Sequence, residues 1–332
     1  MRRLIAISVF CMLLVALGSA AVSAQEGGFA LPNSYNKLPL SIELAPEFPG
    51  PFEAVILKAV SFSFDLDRST LTWRVNGTIV KRGVGEKTAE IKTGNVGSET
   101  SVTLEAVTDR GTQSTSIVIR PGEVGLSWEA LSYVPPFYKG KALATFESEV
   151  RVIATPNIIK GGVRLGSKKL VYTWKVNGKI DQSQSGYGKN IFKYKIPSTS
   201  IQGIVDLDVV TTDNSLRVRD SITIPVTEPL LLLYEDDPIL GIKQNRALIG
   251  SFLLKAPEVR FFAAPYWSSP DSSGFAYKWK QNEELLEGDT PFRTFGVEAN
   301  SRGESQISVI FSNSSKFLQF SSARIKLLYG SN

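Results

Sequence analysis

Leu71-Thr72-Trp73-Arg74-Val75-Asn76-Gly77 returns as Tyr172-Thr173-Trp174-Lys175-Val176-Asn177-Gly178 and again as Tyr277-Lys278-Trp279-Lys280-Gln281-Asn282, the tryptophans 101 and 105 residues apart. Each copy alternates apolar and polar residues around one large aromatic, and the first two close on Asn-Gly, the strongest short hairpin signal. A repeat of about 100 residues is the length of one small β-sandwich. The spacing therefore predicts an all-β chain of three tandem antiparallel β-sandwich domains.

Outward from these stretches, strands are expected at 40–44, 54–64, 70–75, 88–92, 100–108 and 114–119 in the first copy. The second copy gives 149–154, 170–176, 191–196, 204–211 and 216–226, and the third 259–264, 275–279, 292–297, 306–311 and 318–328. Short strands with turn signals between them, and no long amphipathic helical pattern, argue for sandwiches and against a parallel α/β sheet. The expected division is 38–121, 122–227 with an aromatic and proline-rich junction at 122–147, and 228–332 with a junction at 228–257.

Arg2 and Arg3 precede an uncharged apolar run over 4–18, and small residues lead to Val22-Ser23-Ala24, the layout of a secretory signal cleaved after Ala24. The alternative is an uncleaved anchor, but this run falls short of the about 20 residues that span a bilayer. Residues 1–24 are thus expected to be a signal peptide and 25–37 a flexible leader, with the chain exported to the cell surface, the medium or a periplasm. The stretch 316–332 has Lys316, Arg324 and Lys326 among its apolar residues and reads as a strand, not an anchor. Membrane contact is expected only through the signal segment, if uncleaved.

The chain has no histidine, and its one cysteine, Cys11, lies in the signal segment. Histidine-based triads, Cys-His pairs, zinc sites and disulfides are therefore excluded from the mature chain. Of the remaining carboxylate chemistry, Asp206 and Asp208 lie two apart on one expected strand and point to one face, where a glycosidase needs two acids across a cleft. They read as surface residues, so no enzyme and no cofactor are expected. Asp65 and Asp67, and Glu235, Asp236 and Asp237, are the places where calcium would be considered, but no loop of EF-hand type accompanies them. Removing Arg2 and Arg3 leaves 35 basic and 32 acidic residues, about +3, too little to imply nucleic acid. The basic stretch 160–169 is rich in glycine and reads as a solvated loop, with contact to an anionic polymer such as cell-wall material as the alternative. Gly83-Val84-Gly85 and Gly186-Tyr187-Gly188 read as turns or strand kinks, because no helix follows to hold a phosphate.

Trp73, Trp174 and Trp279 are assigned to the three cores, since one aromatic at one strand position in three copies is a sandwich plug. The segments 131–140 and 232–241 are too aromatic for flexible linkers. Their prolines stiffen them, so they are expected to pack on a neighbouring domain and make a semi-rigid rod. Tyr133, Phe137, Tyr138, Tyr234, Tyr266 and Trp267, with Trp128, are the candidates for that packing or for stacking on sugar rings.

The pattern aromatic-x-Trp-x-Val-Asn-Gly, preceded by Phe64-Asp65-Leu66-Asp67, resembles the central strand and hairpin of bacterial Ig-like or PKD-like surface modules. Asn76-Gly77 stands where PKD modules carry Gly-Asp-Gly, so the Ig-like resemblance is the closer. The order of Trp-Val-Asn-Gly, Gly186-Tyr187-Gly188-Lys189-Asn190, Pro-Pro-Phe-Tyr-Lys-Gly and Leu-Tyr-Glu-Asp-Asp-Pro resembles exported proteins of candidate phyla radiation bacteria. These resemblances imply a surface or envelope setting and no activity. The expected function is a structural spacer or an adhesion and protein-interaction module, with an envelope or surface protein, or a glycan, as partner. The alternative is a carbohydrate-binding or cell-wall-associated accessory protein.

Overall fold

The computed structural model describes residues 40–298 and 301–330; the expected signal segment and leader lie outside them. Among the described residues the regular elements are β-strands and two short 3-10 turns, with no α-helix, and three hydrophobic cores follow one another along the chain. The first sandwich faces a sheet of Ser41–Ala45, Ala54–Val60 and Thr88–Lys92 against one ordered Thr78–Val84, Thr70–Val75, Thr100–Thr108, Gly111–Ile119. The second sets Ile191–Lys195, Glu149–Asn157 and Glu123–Ala130 against a sheet centred on Leu170–Val176, Gln202–Thr211 and Arg217–Thr227. The third sets Leu230–Asp237, Glu258–Tyr266 and Phe292–Gly296 against Gly250–Leu254, Phe320–Tyr329, Gly303–Asn313 and Phe275–Gln281.

The repeated motif explains why each copy closes. The indoles of Trp73, Trp174 and Trp279 are 0%, 0% and 1% exposed, one per core. Each Nε1–H donates to a main-chain carbonyl two residues before the next strand of the facing sheet: Glu86 at 2.8 Å, Lys189 at 2.8 Å and Thr290 at 2.9 Å. A buried indole N–H must find a partner, and here the partner sits where the chain crosses between the sheets. The asparagine three residues later adds a clamp. Asn76, Asn177 and Asn282 lie at φ 48°, 48° and 46°. Their amides donate to Ser101, Ile204 and Gln306 carbonyls, and their Oδ1 atoms accept from the same three residues' amides at 2.9, 3.2 and 2.8 Å. Asparagine tolerates the left-handed region, so the turn and the clamp come from one residue type.

After the first two asparagines comes glycine, at φ 83° and 80°; after the third comes Glu283, at φ 71°. A side chain there is strained, and its ion pair with Lys280 at 3.5 Å lies between exposed groups and is worth little. Glu283→Gly is expected to stabilise the third sandwich by about 1 kcal/mol in chemical denaturation.

The structure differs from the sequence reading at three places. Thr78–Val84 is a strand that sequence alternation did not show, because it lies at a sheet edge and its residues are mostly exposed. The strand begun at Ala54 ends at Val60 rather than running to residue 64. Glu123–Ala130 and much of the stretch 228–257 are sandwich strands: the first pairs with Glu149–Asn157, and Leu230–Asp237 pairs with Glu258–Tyr266. Leu230–Asp237 hides its alternation by burying both faces. Leu231 and Leu233 enter the sandwich core, while Leu232 and Tyr234 join a fourth cluster on the outside of the sheet.

Candidate functional site

That fourth cluster gathers five of the six aromatic candidates, Phe137, Tyr138, Tyr234, Tyr266 and Trp267. The segment after Glu123–Ala130 is shaped by Pro135, whose carbonyl accepts from the Tyr138 amide at 2.9 Å, and by Ser132 Oγ donating to the Leu143 carbonyl at 2.7 Å. So folded, it lies across the outer face of the third sandwich. Phe137 meets Tyr234 edge-on at 5.2 Å, Tyr138 meets Tyr266 at 5.3 Å, and Tyr133 meets Phe275 at 6.0 Å. The hydroxyls of Tyr234 and Tyr266 are 2.7 Å apart, and Tyr266 packs on Trp267 at 6.1 Å. Burial and the neighbouring Tyr234 push the Tyr266 phenol far above its ordinary pKa. Main chain adds two bonds: the Tyr133 amide donates to the Ser268 carbonyl at 2.7 Å, and the Trp267 amide to the Tyr133 carbonyl at 2.6 Å. All six candidates thus meet, between Tyr133–Tyr138 of the second sandwich's leading segment and the third sandwich. Trp128 stands apart, with Lys141 Nζ 3.4 Å from its ring centroid.

The sequence reading missed Gln319, which is 0% exposed. Its Nε2 donates to the Phe146 carbonyl at 2.8 Å, and its Oε1 accepts from the Ser269 amide at 2.8 Å and from Asn313 Nδ2 at 3.0 Å. One amide side chain therefore ties the segment before Glu149–Asn157 to two loops of the third sandwich. A lone glutamine between Leu318 and Phe320 was the sole signal, and nothing in one sequence tells a buried glutamine from a solvated one.

Beside this contact lies a cavity of about 330 Å³ lined by Tyr133, Phe262, Phe275 and Tyr277, with Asp289 and Ser272 as polar groups. Asp289 Oδ1 accepts from the Tyr277 amide, and burial raises the Tyr277 phenol well above its ordinary pKa.

The carboxylates singled out in the sequence are engaged elsewhere. Asp208 holds Arg219 at 2.9 Å and Arg217 at 3.2 Å, while Asp206 accepts from Ser221 Oγ at 2.7 Å. Arg219 also reaches Glu47 at 3.2 Å, and its guanidinium stacks 4.3 Å from the ring centroid of Phe48, so this face receives a loop of the first sandwich. Gly97, at φ 78°, faces Ile159 at the same junction, where an added Cβ would stand 2.6 Å from the isoleucine Cβ. Asp67 pairs with Lys87 at 2.9 Å, Arg68 lies 3.7 Å from Asp65, Glu235 and Asp237 share Lys243 at 2.6 and 3.3 Å, and Asp236 pairs with Arg260 at 2.7 Å. Among the described residues no group of three or more possible protein ligands is placed to hold a metal. The basic stretch expected as a loop, 160–169, is partly a hairpin, since Ile159–Lys160 pairs with Val163–Arg164, and Lys160 is paired to Asp213.

Titration follows from this inventory. Hydrogen bonds from Ser183, Lys160, Leu240 and Ser273 hold the carboxyls of Asp181, Asp213, Asp237 and Asp271 below the usual range. Burial pushes the Tyr172 phenol up to about 12. A depressed carboxylate contributes stability above its unfolded pKa and loses it as pH falls through the folded value; a raised phenol contributes below its unfolded pKa and loses it as pH rises. With no histidine to titrate between them, stability is expected to stay flat from about pH 5 to 9 and to fall on both sides. Denaturation midpoints across that range check this, and a step near pH 6.5 would contradict it.

No family model matches the chain, and no curated protein sequence matches it. Solved structures do. The fibronectin(III)-like modules of Clostridium thermocellum CbhA are 13% identical over 56% of this chain and 94% of theirs, at a TM-score of 0.28. The central fibronectin-III array of RIM-binding protein is 13% identical over 87% and 97%, at 0.29. The Bacteroides ovatus protein SGBP-B of a mixed-linkage glucan utilization locus, solved with a mixed-linkage heptasaccharide, is 10% identical over 87% and 71%, at 0.22. At such scores these likenesses carry no functional argument, and function is read from this chain's own residues.

Proposed function

We propose that this chain is an exported, non-enzymatic spacer or protein-interaction module of the cell surface, built from three sandwich domains near 38–121, 122–227 and 228–332. The observation that carries the reading is the second junction. Tyr133, Phe137 and Tyr138 meet Phe275, Tyr234 and Tyr266 across it, and a fully buried glutamine ties one sandwich to the next. Ordering so many groups costs conformational entropy, and a chain that needed only a tether would use a flexible linker. The absence of histidine from the whole sequence, and the engagement of Asp206 and Asp208 with Arg217, Arg219 and Ser221, support a role without catalysis.

The test is fractionation of the native host with mass spectrometry of the mature N-terminus. The proposal expects an envelope or secreted chain beginning at Gln25; a cytoplasmic chain retaining Met1 would overturn it. The further likeness to exported proteins of candidate phyla radiation bacteria rests on motif order in the sequence.

A second reading is favoured by the cavity at Tyr133, Phe262, Phe275 and Tyr277, whose aromatic walls and single carboxylate, Asp289, suit a sugar ring. Glycan-array binding that is lost in Phe275→Ala, with the fold retained, would support a carbohydrate-binding accessory role. An array without signal would remove that role and leave the spacer.

A further inference from the structure

The last strand of each sandwich ends a sheet or nearly so, and the three are treated differently. In the second sandwich Arg217–Thr227 is met by the parallel strand Ala144–Thr145 and carries Arg217, Arg219 and Asp220. In the third, residues 325–329 pair in parallel with Gly250–Leu254, and Arg324 and Lys326 stand on the strand. In the first, Gly111–Ile119 terminates its sheet, and no strand lies beyond it among the described residues. The cover in the other two comes from the chain between the first and second strands of the sandwich. Here that stretch is 46–53, and its Glu47 and Phe48 are turned instead to Arg219 and Arg217 of the second sandwich.

Alternate residues along Gly111–Ile119 therefore present N–H and C=O groups to the open side. Within the strand the usual protections are missing. The nine residues Gly111-Thr112-Gln113-Ser114-Thr115-Ser116-Ile117-Val118-Ile119 include no charge and no proline. Every other sheet-ending strand of five residues or more carries a charge within it, except Gly250–Leu254; the charges next to Gly111–Ile119, Arg110 and Arg120, lie beyond its two ends, and Arg120 is held by Glu99 at 2.8 Å.

We propose that Gly111–Ile119 pairs antiparallel with the same strand of a second copy of this chain, joining two four-stranded sheets across a two-fold axis. The strand is its own complement. It brings no like charges face to face, which would oppose pairing. Antiparallel two-fold pairing sets the inward Thr115 and Ile117 opposite inward residues and the outward Ser114, Ser116 and Val118 opposite outward ones, so both faces continue across the axis. The inference stands independently of the spacer reading.

Sedimentation velocity of the full chain over roughly 1 to 500 μM tests it. A reversible monomer–dimer equilibrium is expected, weakened on the order of 30-fold in the double variant Ser114→Lys/Ser116→Lys, which sets four exposed charges around the axis. Ser251→Lys, on the other uncharged edge, is expected to leave the equilibrium unchanged. Hydrogen exchange on the unmodified chain gives a second readout, with amide protection within Gly111–Ile119 rising as concentration rises. A chain that stays monomeric throughout, a dimer indifferent to the two lysines, or protection that grows elsewhere would overturn the pairing.

Discussion

Trp174→Ala is expected to lower the stability of the second sandwich by about 3–5 kcal/mol, enough to unfold a domain of ordinary stability. The side chain is fully buried, stacks on Phe192 with ring centroids 5.3 Å apart, and donates to the Lys189 carbonyl at 2.8 Å. Truncation removes the apolar burial, leaves a cavity between the sheets, and strands that carbonyl at the point where the chain crosses over. Trp174→Phe separates these terms. It keeps most of the ring and loses the donor, so it is expected to cost about 1–3 kcal/mol. Urea denaturation followed by circular dichroism reads both; a loss under about 1 kcal/mol for the alanine variant would mean that the indole is not a plug.

Gln319→Leu is expected to cost about 3 kcal/mol or more although it replaces a polar residue by an apolar one of similar size. It leaves the Phe146 carbonyl, the Ser269 amide and Asn313 Nδ2 without this partner, each in a place closed to solvent or partly so. A buried polar group left unpaired costs about 1–3 kcal/mol. The loss has a signature that core damage lacks. Because Phe146 belongs to the segment leading into the second sandwich and Ser269 and Asn313 to the third, the variant is expected to loosen the two relative to each other as well as to lower the melting temperature. A variant as stable as the parent would show that the glutamine is solvated.

Fold class was legible because the repeat speaks in residue types whose physics is local. A tryptophan preceded by threonine and followed two residues on by valine, with an asparagine at the turn, was enough to place Thr70–Val75 and Leu170–Val176 to the residue. What the motif does was not legible. The indole donates to residues 11 to 15 positions away, and the asparagine clamps strands 24 to 27 positions away, with no pattern in the sequence that marks those partners. Leu230–Asp237 escaped for a different reason, since a strand buried on both faces has no alternation to read. Tyr133, Phe137, Tyr138, Tyr234, Tyr266 and Trp267 were identified by composition, and composition could not say that they touch one another. Gln319 carried almost no signal, since its importance lies in three partners scattered over 173 residues of chain.

The most direct test of a spacer held by fixed junctions is nitrogen-15 relaxation of the second and third sandwiches in the intact chain. The aromatic cluster and Gln319 require that both report one rotational correlation time, and that Phe137→Ala/Tyr138→Ala/Gln319→Ala splits it into two shorter ones. Two independent correlation times in the unmodified chain would contradict the fixed junction and the spacer built on it.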